Sequence, residues 1–146
     1  MKRYDAALIS AVIAHTLAWA SAIWLAVGAT YQGASVAAVT SGSAPSEPIR
    51  VTATLIEVNG LSVIPLLLAP VLLTAIAALA AILIRADLVR RGAFILTLAV
   101  LLLGFSAIGI ASIGLLFLPA VIALVFSGVI GLMESRAQRR SGQSLN

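Results

Sequence analysis

The chain has 146 residues, of which 62% are hydrophobic and 10% charged, and its mean hydropathy is +1.15. A soluble domain is about 45–50% apolar and about 25% charged, so this chain has too few charged side chains to cover a water-exposed surface. The composition excludes a soluble enzyme, a disordered chain and a nucleic-acid-binding domain, although the net charge is +4. It predicts an integral membrane protein that lies in a lipid bilayer.

Four apolar segments are predicted to cross the membrane as helices. A helix needs about 20 apolar residues to cross a hydrocarbon core of ~30 Å. The first segment covers residues 6–28 and the second 61–84. The stretch 92–133 carries no charge over 42 residues, too many for one crossing, so a turn rich in glycine and serine divides it into spans 93–111 and 114–133. We therefore expect an all-α membrane protein, a four-transmembrane-helix bundle.

The basic residues predict how this bundle is oriented. Eight of the nine lie in the N-terminal tail, the loop between the second and third spans and the C-terminal tail, and only Arg50 lies in the loop 29–60. By the positive-inside rule both termini are cytoplasmic, the membrane is the cytoplasmic membrane and loop 29–60 is extracytoplasmic. The arginines expected to set this topology are Arg85, Arg90, Arg91, Arg136, Arg139 and Arg140. They could also contact anionic lipid headgroups.

A single four-helix domain is expected over residues 1–140, followed by a disordered tail at 141–146. A cleaved signal peptide is the alternative interpretation of the first span, with Lys2-Arg3 before it and small residues near Ala22. The apolar run of about 23 residues exceeds the 7–15 of a signal peptide, which favours a retained span.

Loop 29–60 is the one long segment between the spans. Residues 49–58 are rich in β-branched side chains and predict a strand, which could pair with 35–40 as a short β-hairpin. An isolated hairpin is marginal in water, so it would need support from the helix ends, a second copy or a partner. The alternatives are a strand-containing loop without pairing, or a mobile loop.

His15 is predicted to lie near the middle of the first span as its one titratable side chain. An ionisable residue at that depth is a functional candidate, because burying it is costly unless it is paired. It could bind a cofactor such as haem, but no cysteine, acid or second histidine lies in the predicted spans to complete a metal site. The simpler interpretation is a neutral histidine that hydrogen-bonds within the bundle. We therefore expect no cofactor, no metal site and no catalytic residue.

Small residues recur at four-residue spacing on two spans and predict close helix packing. They are Ala14, Ala18, Ala22 and Ala26 on the first span, and Ala123, Ser127 and Gly131 on the fourth. Within the second span, Pro70 removes a backbone hydrogen bond and is expected to kink the helix.

The motifs of known four-span families are absent. The first span lacks the glutamate of small multidrug exporters, and the chain lacks the cysteines of quinone-linked disulfide oxidoreductases. Claudin-like proteins share the predicted topology, but their Trp-Gly-Leu-Trp motif and cysteines are missing here.

Three hypotheses about function remain. The leading one is a non-enzymatic accessory or scaffold subunit of a larger membrane complex, with other subunits or further copies of itself as partners. The second is a small oligomeric transporter or channel, for which serine and threonine side chains would have to line the path. The third is an electron-transfer subunit that binds haem through His15.

Overall fold

The computed structural model describes residues 5–29, 31–35, 49–84, 87–109 and 113–143. Among these, four helical segments are long and apolar enough to cross a membrane, which confirms the predicted all-α membrane architecture at this level. The segments are Ala6–Val27, Leu55–Leu83, Leu88–Ile108 and Gly114–Ala137.

Helix α1 covers Ala6–Val27 and begins where Asp5 caps it. The Asp5 carboxylate accepts a hydrogen bond from the backbone N–H of Leu8 at 3.1 Å, which satisfies one of the free donors of the first turn. One face of the helix is lined by buried small side chains: Ala7, Ala11, Ala14, Ala18 and Ala22. This face lets neighbouring backbones approach closely.

Between α1 and the second span, β1 (Tyr31–Ser35) pairs antiparallel with β2 (Ile49–Ala53), with Tyr31 opposite Ala53. The predicted strand 49–58 is therefore too long, because Thr54 and Glu57 form a capping box that starts helix α2 at Leu55. The predicted partner strand 35–40 overlaps β1 only at Ser35, and residues 36–40 lie outside the described part of the chain.

The second span is longer than the predicted 61–84. Helix α2 (Leu55–Asn59) passes through a 3-10 turn at Gly60–Val63 into helix α3 (Ile64–Leu83). Gly60 has a φ of 67°, a conformation that favours glycine, at the junction of these elements. Pro70 lies buried inside α3, and the kink expected there stays a prediction.

Helix α4 (Leu88–Ile108) begins five residues before the predicted span 93–111, because Asp87 caps it and accepts a hydrogen bond from the Arg90 backbone N–H. A 3-10 turn at Gly114–Phe117 leads into helix α5 (Leu118–Gln143). This helix continues beyond the predicted span 114–133. Positions 141–143 of the expected disordered tail are therefore helical, and 144–146 lie outside the described residues.

Glycines bring α4 and α5 into close contact. A Cβ atom added to Gly92 would lie 2.9 Å from the Leu132 side chain and 3.0 Å from the Gly128 carbonyl oxygen. One added to Gly131 would lie 3.3 Å from the Gly92 Cα atom. These separations are too short for ordinary van der Waals contact, so larger side chains would force the two helices apart.

Candidate functional site: two polar networks

The first polar network surrounds Arg91, whose side chain is only 2% exposed. Arg91 lies on the first turn of α4, and its Nη1 donates to Asp5 Oδ2 at 2.6 Å. Its Nη2 donates to Glu134 Oε2 at 3.2 Å and more weakly to Asp5 Oδ1 at 3.4 Å. We call these three residues the arginine cluster; it joins α1, α4 and α5 at one end of the bundle.

The arginine cluster corrects two expectations from the sequence. His15 was expected to be the one titratable group within a span, yet Arg91 and Glu134 also lie within the helical segments that could cross a membrane. Arg91 is predicted from the sequence to be a loop residue that sets topology and could contact lipid headgroups. The early start of α4 moves it onto a helix, where its side chain turns into the bundle.

The energetics of the arginine cluster follow from its burial. A guanidinium removed from water is stable only when it is paired and hydrogen-bonded, and removing its partners exposes the full desolvation cost. The side chains of Asp5 and Glu134 remain 31% and 40% exposed, so water still reaches the two carboxylates. The cluster contains two acids and one base, so Arg91 has one more carboxylate partner than its single charge requires. Its Nε is buried without a hydrogen-bond partner.

Asp5 is the member whose ionisation responds most clearly to this environment. Burial acts to raise the pKa of its carboxyl, but three other effects outweigh it: the hydrogen bond from Arg91, the hydrogen bonds from the Leu8 and Ala7 backbone, and the positive charge of Arg91. The net result is a pKa below the ordinary value for aspartate. The folded state therefore favours the charged carboxylate.

Gly131 lies beside the arginine cluster as well as at the contact between α4 and α5. A Cβ atom on Gly131 would lie 3.9 Å from Arg91 Nε, so the Arg91 side chain passes directly beside this glycine. The predicted packing residues of α5 thus have separate contacts: Gly131 touches α4, whereas Ser127 Oγ donates to the Ala7 carbonyl of α1 at 2.6 Å. The Ala123 carbonyl accepts from Ser10 Oγ at 2.7 Å.

The predicted alanine stripe of α1 lies at the helix interface over most of its length. Ala14, Ala18 and Ala22 are buried in the core, and Ala26 is half-buried and packs against it. The serine bonds between α1 and α5 lie beside this stripe. Close approach and backbone hydrogen bonding therefore act together at the α1–α5 contact.

The second polar network, which we call the histidine network, consists of His15, Trp19 and Thr74. Trp19 Nε1 donates to His15 Nε2 at 3.2 Å, because an indole N–H can only donate. His15 Nε2 is therefore an acceptor, and the neutral ring carries its proton on Nδ1. That nitrogen lies 3.1 Å from Thr74 Oγ1, which in turn donates to the Val71 or Pro70 carbonyl at 2.9 and 3.0 Å.

The geometry of the histidine network bears on the predicted cofactor role of His15. Both ring nitrogens already have protein partners, and the lone pair on Nε2 accepts from Trp19 rather than pointing at an open position. Among the described residues, no group of three or more histidine, cysteine or acidic side chains could hold a metal ion. The network instead links α1 to α3, with Trp19 half exposed on the outer surface.

The remaining hydroxyl groups in the described spans bond mainly to backbone carbonyls. Ser21 Oγ donates to Leu116 O at 2.7 Å, and Thr16 and Thr97 donate to carbonyls four residues earlier in their own helices. Ser106 Oγ is buried without a partner, and Ser112 lies outside the described residues. Ser21, Thr16 and Thr97 therefore bond to backbone carbonyls of the bundle, whereas Ser106 does not.

The predicted topology arginines have different environments. Arg91 is buried, whereas Arg90 and Arg136 are exposed. Arg139 and Arg140 lie on the last turns of α5, and Arg85 lies outside the described residues.

Compared with protein-family models, curated proteins and solved structures, the chain gives no match.

Proposed function

We propose that the chain is a non-enzymatic accessory or scaffold subunit of a larger membrane complex. The observation that carries this proposal is how the polar side chains within the spans are bonded. Arg91, His15, Thr74 and the serines of the α1–α5 contact all bond to other parts of the same bundle. Chemistry or transport requires polar groups free to meet a substrate, and a subunit that acts through its outer surface does not.

The orientation belongs to the same proposal. The arginine cluster brings the start of α1, the start of α4 and the end of the α5 span into contact, so these three segments lie at one end of the bundle. That end carries eight of the nine basic residues in sequence and is assigned to the cytoplasm by the positive-inside rule. Loop 29–60, with the β1–β2 pair, is then extracytoplasmic.

The extracytoplasmic segment is proposed as one contact for partner proteins. A two-stranded pair is marginal in water without support. Next to it, Val58 and Leu61 are 52% and 73% exposed, which gives this end of the molecule apolar side chains outside the core. An assembled complex would cover these groups and stabilise the strands.

Copurification tests the accessory-subunit proposal. The tagged full-length chain is extracted in a mild detergent, and co-eluting proteins are identified by mass spectrometry after crosslinking in the membrane. We expect stoichiometric membrane-protein partners with the wild type. The same extraction from cells that lack the tagged chain serves as the control, and proteins captured in both are set aside as non-specific.

Three results would count against the proposal. A chain that elutes as a lone monomer, with no crosslinked partner in the membrane, has no complex to serve. A symmetric oligomer of this chain alone that conducts ions or solutes in vesicles would instead support the transporter hypothesis. A Soret absorption band lost in His15→Ala would support the haem hypothesis.

A further inference from the structure

Two adjacent arginines of α4 differ sharply in exposure. Arg91 is enclosed by the bundle and bonded to two carboxylates, whereas the neighbouring Arg90 side chain is exposed. Arg136 is also exposed, two residues after Glu134 on α5. Because Gly92 and Gly131 hold α4 and α5 in contact here, both exposed arginines lie at the same end of this helix pair.

The positive charge at this end is only partly balanced. Asp5 and Glu134 are used by Arg91, and the Asp87 carboxylate accepts from the Arg90 backbone at the start of α4. In sequence, the same three segments add five more basic residues: Lys2, Arg3, Arg85, Arg139 and Arg140. The exposed guanidinium groups therefore lack enough carboxylates for neutralisation and suit an anionic ligand.

From this arrangement we infer that Arg90 and Arg136 bind the headgroups of anionic phospholipids. A guanidinium group presents paired N–H donors that match the oxygens of a phosphate. Basic side chains next to a span lie at the depth of the headgroups. Exposed apolar side chains also flank the arginines, among them Val89, Phe94 and Met133, at 38%, 42% and 63% exposure. A phospholipid satisfies both features, since its phosphate meets the arginines and its acyl chains meet the apolar surface.

Native mass spectrometry of the full-length chain tests this inference. The protein is equilibrated with an equimolar mixture of phosphatidylglycerol and phosphatidylcholine in detergent, and the ratio of retained lipids is measured. We expect the wild type to retain phosphatidylglycerol preferentially. One basic residue near the membrane surface changes the affinity roughly fivefold. Arg90→Gln and Arg136→Gln should each lower the preference by about that factor, and the double variant by more.

Matched variants separate the two exposed arginines from general charge. Arg90→Lys and Arg136→Lys keep the charge but lose the paired N–H donors, so they should keep only part of the preference. Arg50→Gln, on β2, should leave it unchanged. Thermal unfolding is measured in parallel. If the glutamine variants do not fold, raising the NaCl concentration around the wild type to about 0.5 M should itself reduce the preference through screening.

Four outcomes would overturn the inference. One is a wild type that retains the two lipids equally, and another is a preference that survives in the folded double variant. An equal loss in Arg50→Gln would also do so, since the effect would then come from overall charge. Added inorganic phosphate identifies the source of the ligand: displacement of phosphatidylglycerol at low millimolar phosphate would show a free-anion site and exclude a lipid site. Each of these results is independent of whether the chain has protein partners.

Discussion

The arginine cluster and the histidine network both join helices, but they differ in charge, position and number of connections. The cluster is ionic, lies at one end of the bundle and connects α1, α4 and α5. The histidine network is neutral, lies along α1 and connects only α1 with α3. Buried ions depend strongly on their partners, whereas a neutral hydrogen bond in a membrane contributes on average only about 0.6 kcal/mol. The arginine cluster at the end of the bundle should therefore contribute more to stability than the histidine network along α1.

A residue's position within a predicted span is therefore an unreliable guide to its contribution to stability. From the sequence, His15 in the middle of a predicted span is the functional candidate, and Arg91 at the edge of a predicted loop is one of several topology arginines. The hydrogen bonds reverse this ranking, because Arg91 connects three helices and His15 connects two.

Replacing Arg91 should have the largest effect. Arg91→Gln leaves the Asp5 and Glu134 carboxylates facing each other without a cation. Since these side chains are 31% and 40% exposed, the loss should be about 1.5–3 kcal/mol, that of a hydrogen bond to a charged group. Arg90→Gln is the matched control, because it removes the same charge one residue away from an exposed side chain and should cost less than about 0.5 kcal/mol. Reversible unfolding in mixed detergent micelles measures both. Similar free energies of unfolding for the two variants would remove the distinction between them.

Enlarging Gly131 should rank second. Gly131→Leu places atoms against the Gly92 Cα atom and beside Arg91 Nε, so it separates α4 from α5 and disturbs the arginine cluster. Overpacking of this kind costs about 1–3 kcal/mol. Gly104 provides the control, since a Cβ atom there meets nothing within 4 Å. Gly104→Ala should raise the free energy of unfolding by up to about 1 kcal/mol through helix propensity, and destabilisation in this variant would show that its surface is covered.

The arginine cluster should make stability depend on acid pH. Because the pKa of Asp5 is lower in the folded chain, its contribution is complete above the unfolded pKa of about 3.9 and is lost as the pH falls through the folded pKa. The free energy of unfolding should therefore fall as the pH decreases below about 5. Unfolding titrations in an uncharged detergent measure this slope. In Asp5→Asn the slope should be smaller, and an identical slope would exclude Asp5 as its source.

The histidine network should give the smallest change in stability and a clear spectroscopic signature. Thr74→Val removes the hydroxyl that meets His15 and should cost about 0.6 kcal/mol. Since His15 is the one histidine in the sequence, ¹⁵N-histidine NMR near neutral pH reports its tautomer directly. We expect the Nδ1–H form, in agreement with Trp19 donating to Nε2. The Nε2–H form would contradict the network as described.

The sequence predicts the spans well because hydropathy depends on long stretches, and it predicts their ends poorly because a few hydrogen bonds decide them. Thr54 and Glu57 have the spacing of a capping box, a signal that would have ended the predicted strand 49–58 at its observed position. Asp87 likewise marks the start of α4. When every charged residue is assigned to a loop, the start of α4 at Leu88 is missed.

The arginine cluster is harder to predict because its members are far apart in the chain. Asp5, Arg91 and Glu134 come from three different spans, and their meeting depends on which helices are neighbours. One signal was available: three of the five acidic residues lie in the segments that also hold the basic ones. The small-residue stripes do indicate close packing, but not which helix each stripe contacts. Gly92 and Gly128, which the four-residue pattern omitted, also lie in close contact with the opposite helix: an added Cβ atom would lie 2.9 Å from Leu132 and 2.6 Å from Leu96, respectively.

A double-mutant cycle between Asp5 and Arg91 tests most directly whether their ion pair stabilises the bundle. Asp5→Asn keeps an oxygen that can cap α1, so the cycle with Arg91→Gln isolates the ion pair from the cap. The free energies of unfolding of the wild type, both single variants and the double variant give the coupling energy. We predict a coupling of at least about 1 kcal/mol, as found for residues in one salt-bridge network. A coupling energy of zero would show that Arg91 is held in the bundle without Asp5 and that their ion pair does not stabilise it.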